Sequence, residues 1–86
     1  MSEHSYITRG TCSRQIFFDL EDGKIHNVRF VQGCSGNTQG VAALVEGMEA
    51  REAIRRLKGI QCGPRPTSCP DQLARALEQA LEQETA

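Results

Sequence analysis

The chain has 86 residues, 38% of them hydrophobic, with no tryptophan and a formal net charge of −1. That length suits a single small domain (residues 1–86, ordered core 6–81) with a modest core that a metal or a partner would help to hold. The near-neutral charge supplies no global field for nucleic acid or a membrane surface, and no stretch approaches the roughly 18 apolar residues of a membrane span.

The opening MSEHSYITRG lacks the apolar segment of a secretory signal, so a cytoplasmic, reducing compartment is expected. A short strand is predicted over His4 to Thr8, followed by a turn at Gly10-Thr11-Cys12-Ser13. Arg14 to Leu20 alternates: Ile16, Phe18 and Leu20 share one face, with Phe17 and Asp19 on the other. Asp22-Gly23 is a hairpin turn signal, because glycine tolerates the positive φ of tight turns. Lys24 to Gln32 completes the hairpin, with Val28 and Phe30 towards the core and Ile25, Arg29 and Val31 on the other side or at a bulge.

The hydrophobic period then lengthens from 2 to 3.6 residues. After Gly33-Cys34-Ser35-Gly36-Asn37, the residues Val41, Leu44, Val45 and Met48 form one helical stripe, with Asn37 or Thr38 as N-cap. Gly47 interrupts it. Ala50, Ala53, Ile54 and Leu57 mark a second helix, closed by Gly59 in a left-handed conformation with Ile60 as its apolar contact. A Gly- and Pro-rich loop spans Gln61 to Pro66. Pro70 at the first helical position and Asp71 at the positive dipole end open the last helix. Leu73, Ala76, Leu77, Ala80 and Leu81 form its apolar face, and the tail Glu82 to Ala86 is expected to fray. The fold class is α+β: a small antiparallel sheet of about three strands packed against three helices.

The cysteines carry the candidate chemistry. Cys12, Cys34, Cys62 and Cys69 all fall in turns or at helix starts, not in apolar periodic runs where an inert core thiol belongs. Helix N-termini favour anions, so Cys34 and Cys69 are placed to be thiolates, the form that binds Zn²⁺ or iron. Nearby glycines (Gly33, Gly36 and Gly63) let backbone approach a metal–sulfur unit. The spacings are long, with 21, 27 and 6 residues between successive cysteines, so no CxxC pair settles the ligand set. Buried unliganded thiols and thiol redox chemistry therefore stay open beside metal binding.

The remaining polar residues have ordinary readings. His26 is a spare ligand candidate on a strand, where a solvent-facing role is commoner. Arg51, Arg55 and Lys58 share a face of the second helix beside Arg56 and could hold phosphate or nucleic acid. Glu49 and Glu52 are interspersed, which favours a solvated helix face, and nucleic acid is not the expected partner. Tyr6, Phe17, Phe18 and Phe30 suit a core better than base stacking. Ser13, Ser35 and Ser68 adjoin cysteines, and with no base at hand they are expected to bond sulfur or cap helices.

The segment Thr67-Ser68-Cys69-Pro70-Asp71 (TSCPD), with FVQGCSGNTQGV, LKGIQCG and DQLARAL, resembles the TSCPD domain family over about residues 6–81. Members of that family occur as small proteins and as the C-terminal domain of adenosylcobalamin-dependent ribonucleotide reductases. The resemblance implies a link to deoxyribonucleotide synthesis and a reductase or another protein as partner. Too few residues are present for a reductase barrel, so no catalysis by this chain alone is expected. A fainter resemblance is to iron–sulfur cluster scaffold proteins, whose three cysteines match Cys12, Cys34 and Cys69. The scaffold's Asp after its first cysteine is replaced by Ser13-Arg14, its His before the last cysteine by Ser68, and Cys62 is additional. These departures favour a closed thiolate site. The expectation is a metal-binding accessory module with Cys12, Cys34, Cys62 and Cys69 as ligands, zinc preferred to an iron–sulfur cluster. A thiol-redox partner or a nucleotide-binding module using the Arg-rich helix is the alternative.

Overall fold

A computed structural model of the chain describes residues 2–11, 13–32, 35–61 and 63–85, with residues 35 and 85 described in backbone only. Strands β1 (Ser2–Ile7), β2 (Gln15–Glu21) and β3 (Lys24–Val31) form an antiparallel sheet in the order β1-β2-β3. Helices α1 (Ser35–Val45), α2 (Ala50–Leu57) and α3 (Cys69–Thr85) follow. The α+β expectation of a three-stranded antiparallel sheet with three helices holds.

The alternation in β2 acts as anticipated, burying Ile16, Phe18 and Leu20 together. Asp22 and Gly23 both have positive φ (52° and 77°), the signature of a two-residue type I′ hairpin turn. In β3 the expectation holds in part: Arg29 and Val31 lie outward and a bulge is present, but Ile25 departs from it. Ile25 is fully buried, on the same face as Val28. The reason is a β-bulge: Phe17 pairs with Arg29 but Asp19 pairs with His26, so β3 carries one extra residue. Asn27 takes it up at φ 56°, and the inward alternation resets across it.

The far edge of β3 is covered by the chain that leaves α1. Gly47 N–H donates to Ile25 O (2.7 Å), Ile25 N–H to Met48 O (2.9 Å), and Ala50 N–H to Gly23 O (2.8 Å). Covering the edge satisfies backbone groups that would otherwise template aggregation. Met48 therefore belongs to this edge segment and not to the α1 stripe.

Helix α1 starts at Ser35, so Asn37 and Thr38 lie inside it and neither is its N-cap. Its inner face is Thr38, Val41, Ala42 and Val45. Leu44, expected on that face, is 77% exposed. The stripe is rotated because Thr38 supplies the buried position one turn before Val41. In α2, Ala50 and Ala53 are buried while Ile54 and Leu57 pack partly against the core. Gly59 takes φ 91° after α2 as expected, but Ile60 remains 42% exposed and makes no apolar cap. Leu73, Ala76, Leu77 and Ala80 of α3 are buried against the sheet residues in one cluster. The tail does not fray at Glu82: α3 runs to Thr85, and Glu84 Oε2 lies 2.7 Å from His4 Nε2. The His4 ring also stacks on Phe18, at 5.4 Å between centroids. Among the described residues, no helix is long and apolar enough to cross a membrane.

Candidate thiolate site at the start of α3

Cys69 is the first residue of α3 and Ser68 is its N-cap. Ser68 Oγ accepts the Asp71 N–H (3.1 Å), and Ser68 O accepts the Gln72 N–H (2.8 Å). Both bonds satisfy donors that a helix start otherwise leaves free. Pro70 is consequently the second helical residue, not the first; its missing N–H costs nothing there because that turn has no intrahelical acceptor. Cys69 is 5% exposed and sits at the positive end of the α3 dipole. Its Sγ lies 3.3 Å from Ser13 Oγ. Ser13 thus bonds sulfur and Ser68 caps a helix, the two roles expected of serines beside cysteines.

Cys12, Cys34 and Cys62 lie outside the described residues, as does Gly33 next to Cys34. The stretch before α2's exit loop and the stretch before β2 are both fastened to α3. Asp71 is fully buried. Its carboxylate accepts the Gly59 N–H (2.7 Å), the Thr67 hydroxyl, and Arg75 Nε (3.0 Å). Burial pushes this carboxyl up, but the Thr67, Gly59 and Arg75 donors outweigh it and hold it below the usual carboxylate range. Ser68 Oγ also donates to Ile60 O at 2.7 Å. Together these bonds attach residues 59–60, just ahead of Cys62, to the turn that begins with Cys69.

The other loop is attached through Gln72. Its Oε1 accepts the Arg9 N–H (3.1 Å) and its Nε2 donates to Thr67 Oγ1 (2.9 Å). The Thr8 hydroxyl donates to Ser13 O, and the Thr11 hydroxyl lies 3.0 Å from Ser13 Oγ. Gly10, at φ 76°, passes so close to Thr67 that a Cβ there would sit 3.1 Å from its Cγ2. Arg14 N–H donates to Val31 O (2.8 Å), which ties the same loop to the end of β3, shortly before Cys34. Residues 13–14, 31, 60 and 68–69, each close in the chain to one of the four cysteines, are therefore joined by hydrogen bonds at one end of the domain.

The sequence assigns Asp71 only to the helix dipole and Gly59 only to the close of α2, and it gives Thr67 and Gln72 no role of their own. The available signal was the run of polar side chains before and within the first turn of an amphipathic helix, which is how buried capping networks are written.

The other candidates resolve into local pairs. His26 Nδ1 lies 2.7 Å from Glu46 Oε2, and Glu46 Oε1 accepts the Asn27 N–H at the bulge (2.9 Å). Arg55 and Arg56 both bond Glu52, and Lys58 Nζ bonds Glu78 Oε2 at 2.8 Å. Arg55 and Arg56 are thus engaged by Glu52 of the same helix and Lys58 by Glu78 of α3, while Arg51 lines a surface cavity with Ile54, Glu78, Leu81 and Glu82. Phe18 is in the core and Tyr6 and Phe30 pack against it; Phe17 sits on the outer face with the Arg29 guanidinium 5.8 Å from its ring centroid. Among the described residues, which include Cys69 but not Cys12, Cys34 or Cys62, no group of three or more His, Cys, Asp or Glu side chains could hold a metal ion.

No curated protein and no solved structure matches this chain. The family model of the TSCPD domain matches residues 1–81. The match takes in the sheet, all of α1 and α2, and α3 as far as Leu81, including the whole clasp from Thr67 to Gln72. The chain belongs to the TSCPD domain family.

Proposed function

We propose that this protein is a metal-binding accessory module whose ligands are the thiolates of Cys12, Cys34, Cys62 and Cys69, with zinc preferred to an iron–sulfur cluster. One observation carries the reading: residues near each of the four cysteines in the chain are linked by hydrogen bonds that run from Val31 to Arg14, from Ser13 to Cys69 and from Ser68 to Ile60, and the Cys69 sulfur lies within hydrogen-bond distance of the Ser13 hydroxyl. The donor chemistry fits the metal. Thiolates are the preferred ligands of structural zinc, and a hydrogen bond from Ser13 would stabilise the charge on a ligating sulfur. Four thiols close a tetrahedral site, which favours a stably held ion over one in transfer. By family, the module is associated with ribonucleotide reduction in the cytoplasm and works with a reductase or another protein. Catalysis by the chain alone is no part of this function.

Three of the four basic residues on and beside α2, Arg55, Arg56 and Lys58, are engaged by Glu52 and Glu78, which weighs against the nucleotide-binding alternative. The metal reading is tested with single Cys→Ser variants at positions 12, 34, 62 and 69. Each true ligand lost should lower bound zinc and the melting temperature together. Variants that keep full zinc at all four positions would refute it.

A further inference from the structure

The TSCPD segment contains one thiol, two hydroxyls and one carboxylate, and the structure separates their tasks. We infer that Asp71 and Ser68 are positioning residues for the thiolate site: they fasten the chain just before Cys62 to the turn that begins with Cys69. The inference rests on the proposed metal reading and adds to it which residues outside the ligand set determine how tightly the metal is held.

The geometry is specific. Asp71 is a fully buried carboxylate, and burying a charge is expensive unless donors surround it. Its donors come from both sides of the Cys62 loop: the Gly59 N–H before it, and Thr67 after it, with Arg75 one turn along α3. Ser68 makes a second crossing of the same gap by donating to Ile60 O. Two crossings, from the adjacent residues Gly59 and Ile60 to Asp71 and Ser68 in the first turn of α3, hold the ends of a loop that contains Gln61, Cys62, Gly63, Pro64, Arg65 and Pro66. Without them that loop would have to be ordered by the metal itself, and the entropy of ordering would be subtracted from binding. Asp71 lies three residues past the Ser68 cap and its carboxylate is taken up by Gly59, Thr67 and Arg75, so it holds the ends of the loop and not the ion.

The test is cobalt(II) titration of the full chain followed by competition with zinc, read from the thiolate-to-cobalt absorption. Four proteins are compared: wild type, Asp71→Asn, Ser68→Ala and Ile54→Val. The last variant loosens the core on α2 away from the loops. Asp71→Asn keeps the shape but presents an amide to Thr67 and Arg75. Ser68→Ala removes the crossing to Ile60 and, if Asp71→Asn does not fold, decides the question alone. The expected result is zinc affinity about 10–100-fold weaker in the two clasp variants, with Ile54→Val matching wild type. Unchanged affinity in folded Asp71→Asn and Ser68→Ala beside a zinc-binding wild type would overturn the inference and leave the metal reading standing. Equal weakening in Ile54→Val would also overturn it, since general destabilisation would then suffice. A wild type that binds neither cobalt nor zinc would overturn both.

Discussion

The Gly59 N–H points at the Asp71 carboxylate across 2.7 Å, joining the exit of α2 to the first turn of α3. Gly59 can turn its N–H this way because it sits at φ 91°, a conformation open to glycine. Asp71 can receive it because Thr67 and Arg75 share the carboxylate's charge.

Replacing Asp71 by Ala should therefore cost far more than a typical helix-start substitution. It strands the Thr67 hydroxyl in a buried site, leaves the part-buried Gly59 amide without its acceptor and removes the partner of Arg75, worth about 2–4 kcal/mol together. In a domain of this size the melting temperature of metal-free protein should fall by more than about 10 °C. A change of a degree or two would show that the carboxylate is not holding the loop.

The same carboxyl makes stability depend on acid. Asp71 titrates below its usual range when folded, so its contribution is fully present above the unfolded pKa and is lost as pH falls through the folded one. Glu46 is shifted the same way by the Asn27 N–H and by His26, and Glu84 by His4. Urea unfolding of metal-free protein should show stability dropping between about pH 5 and pH 3. Asp71→Asn should flatten part of that drop. Identical slopes in the two proteins would contradict the assignment to Asp71.

Two glycines should respond with opposite sign. Gly10→Ala forces a side chain into φ 76° and against Thr67 Cγ2, and should destabilise by about 1–2 kcal/mol. Gly40→Ala lies within α1 with open space at its Cβ, and should stabilise by about 0.5–1 kcal/mol. Chemical denaturation of both variants reads the difference directly. Destabilisation by both would mean the path of α1 is wrong.

Helix α1 gives a further pair. Leu44→Gln should be nearly neutral, within about 0.5 kcal/mol, because Leu44 is exposed. Val45→Ala removes buried contacts and should cost about 2 kcal/mol. The reverse order would restore the stripe through Leu44.

That stripe shows where the sequence was legible and where it was not. Ile16, Phe18 and Leu20 alternate without interruption, and Asp22-Gly23 demands one turn type, so the β2–β3 hairpin could be read off directly. Ile25 could not be placed, because the bulge at Asn27 shifts its face and asparagine at positive φ has no strong spelling. In α1 the residues SGNTQGVAALV have weak helical preference, and packing, not pattern, decides that Thr38 turns inward and Leu44 outward. At the site, the cysteines announced themselves by lying outside apolar runs. The clasp did not, since Asp71 and Gln72 look like ordinary first-turn polar residues until Gly59 and Arg9 are brought up to them from far along the chain.

The central claim is that these thiols hold a metal. Elemental analysis with a visible spectrum, on protein purified without oxygen or chelator, tests it most directly. The account predicts about one zinc per chain and no colour. Four free thiols with neither zinc nor iron would contradict it.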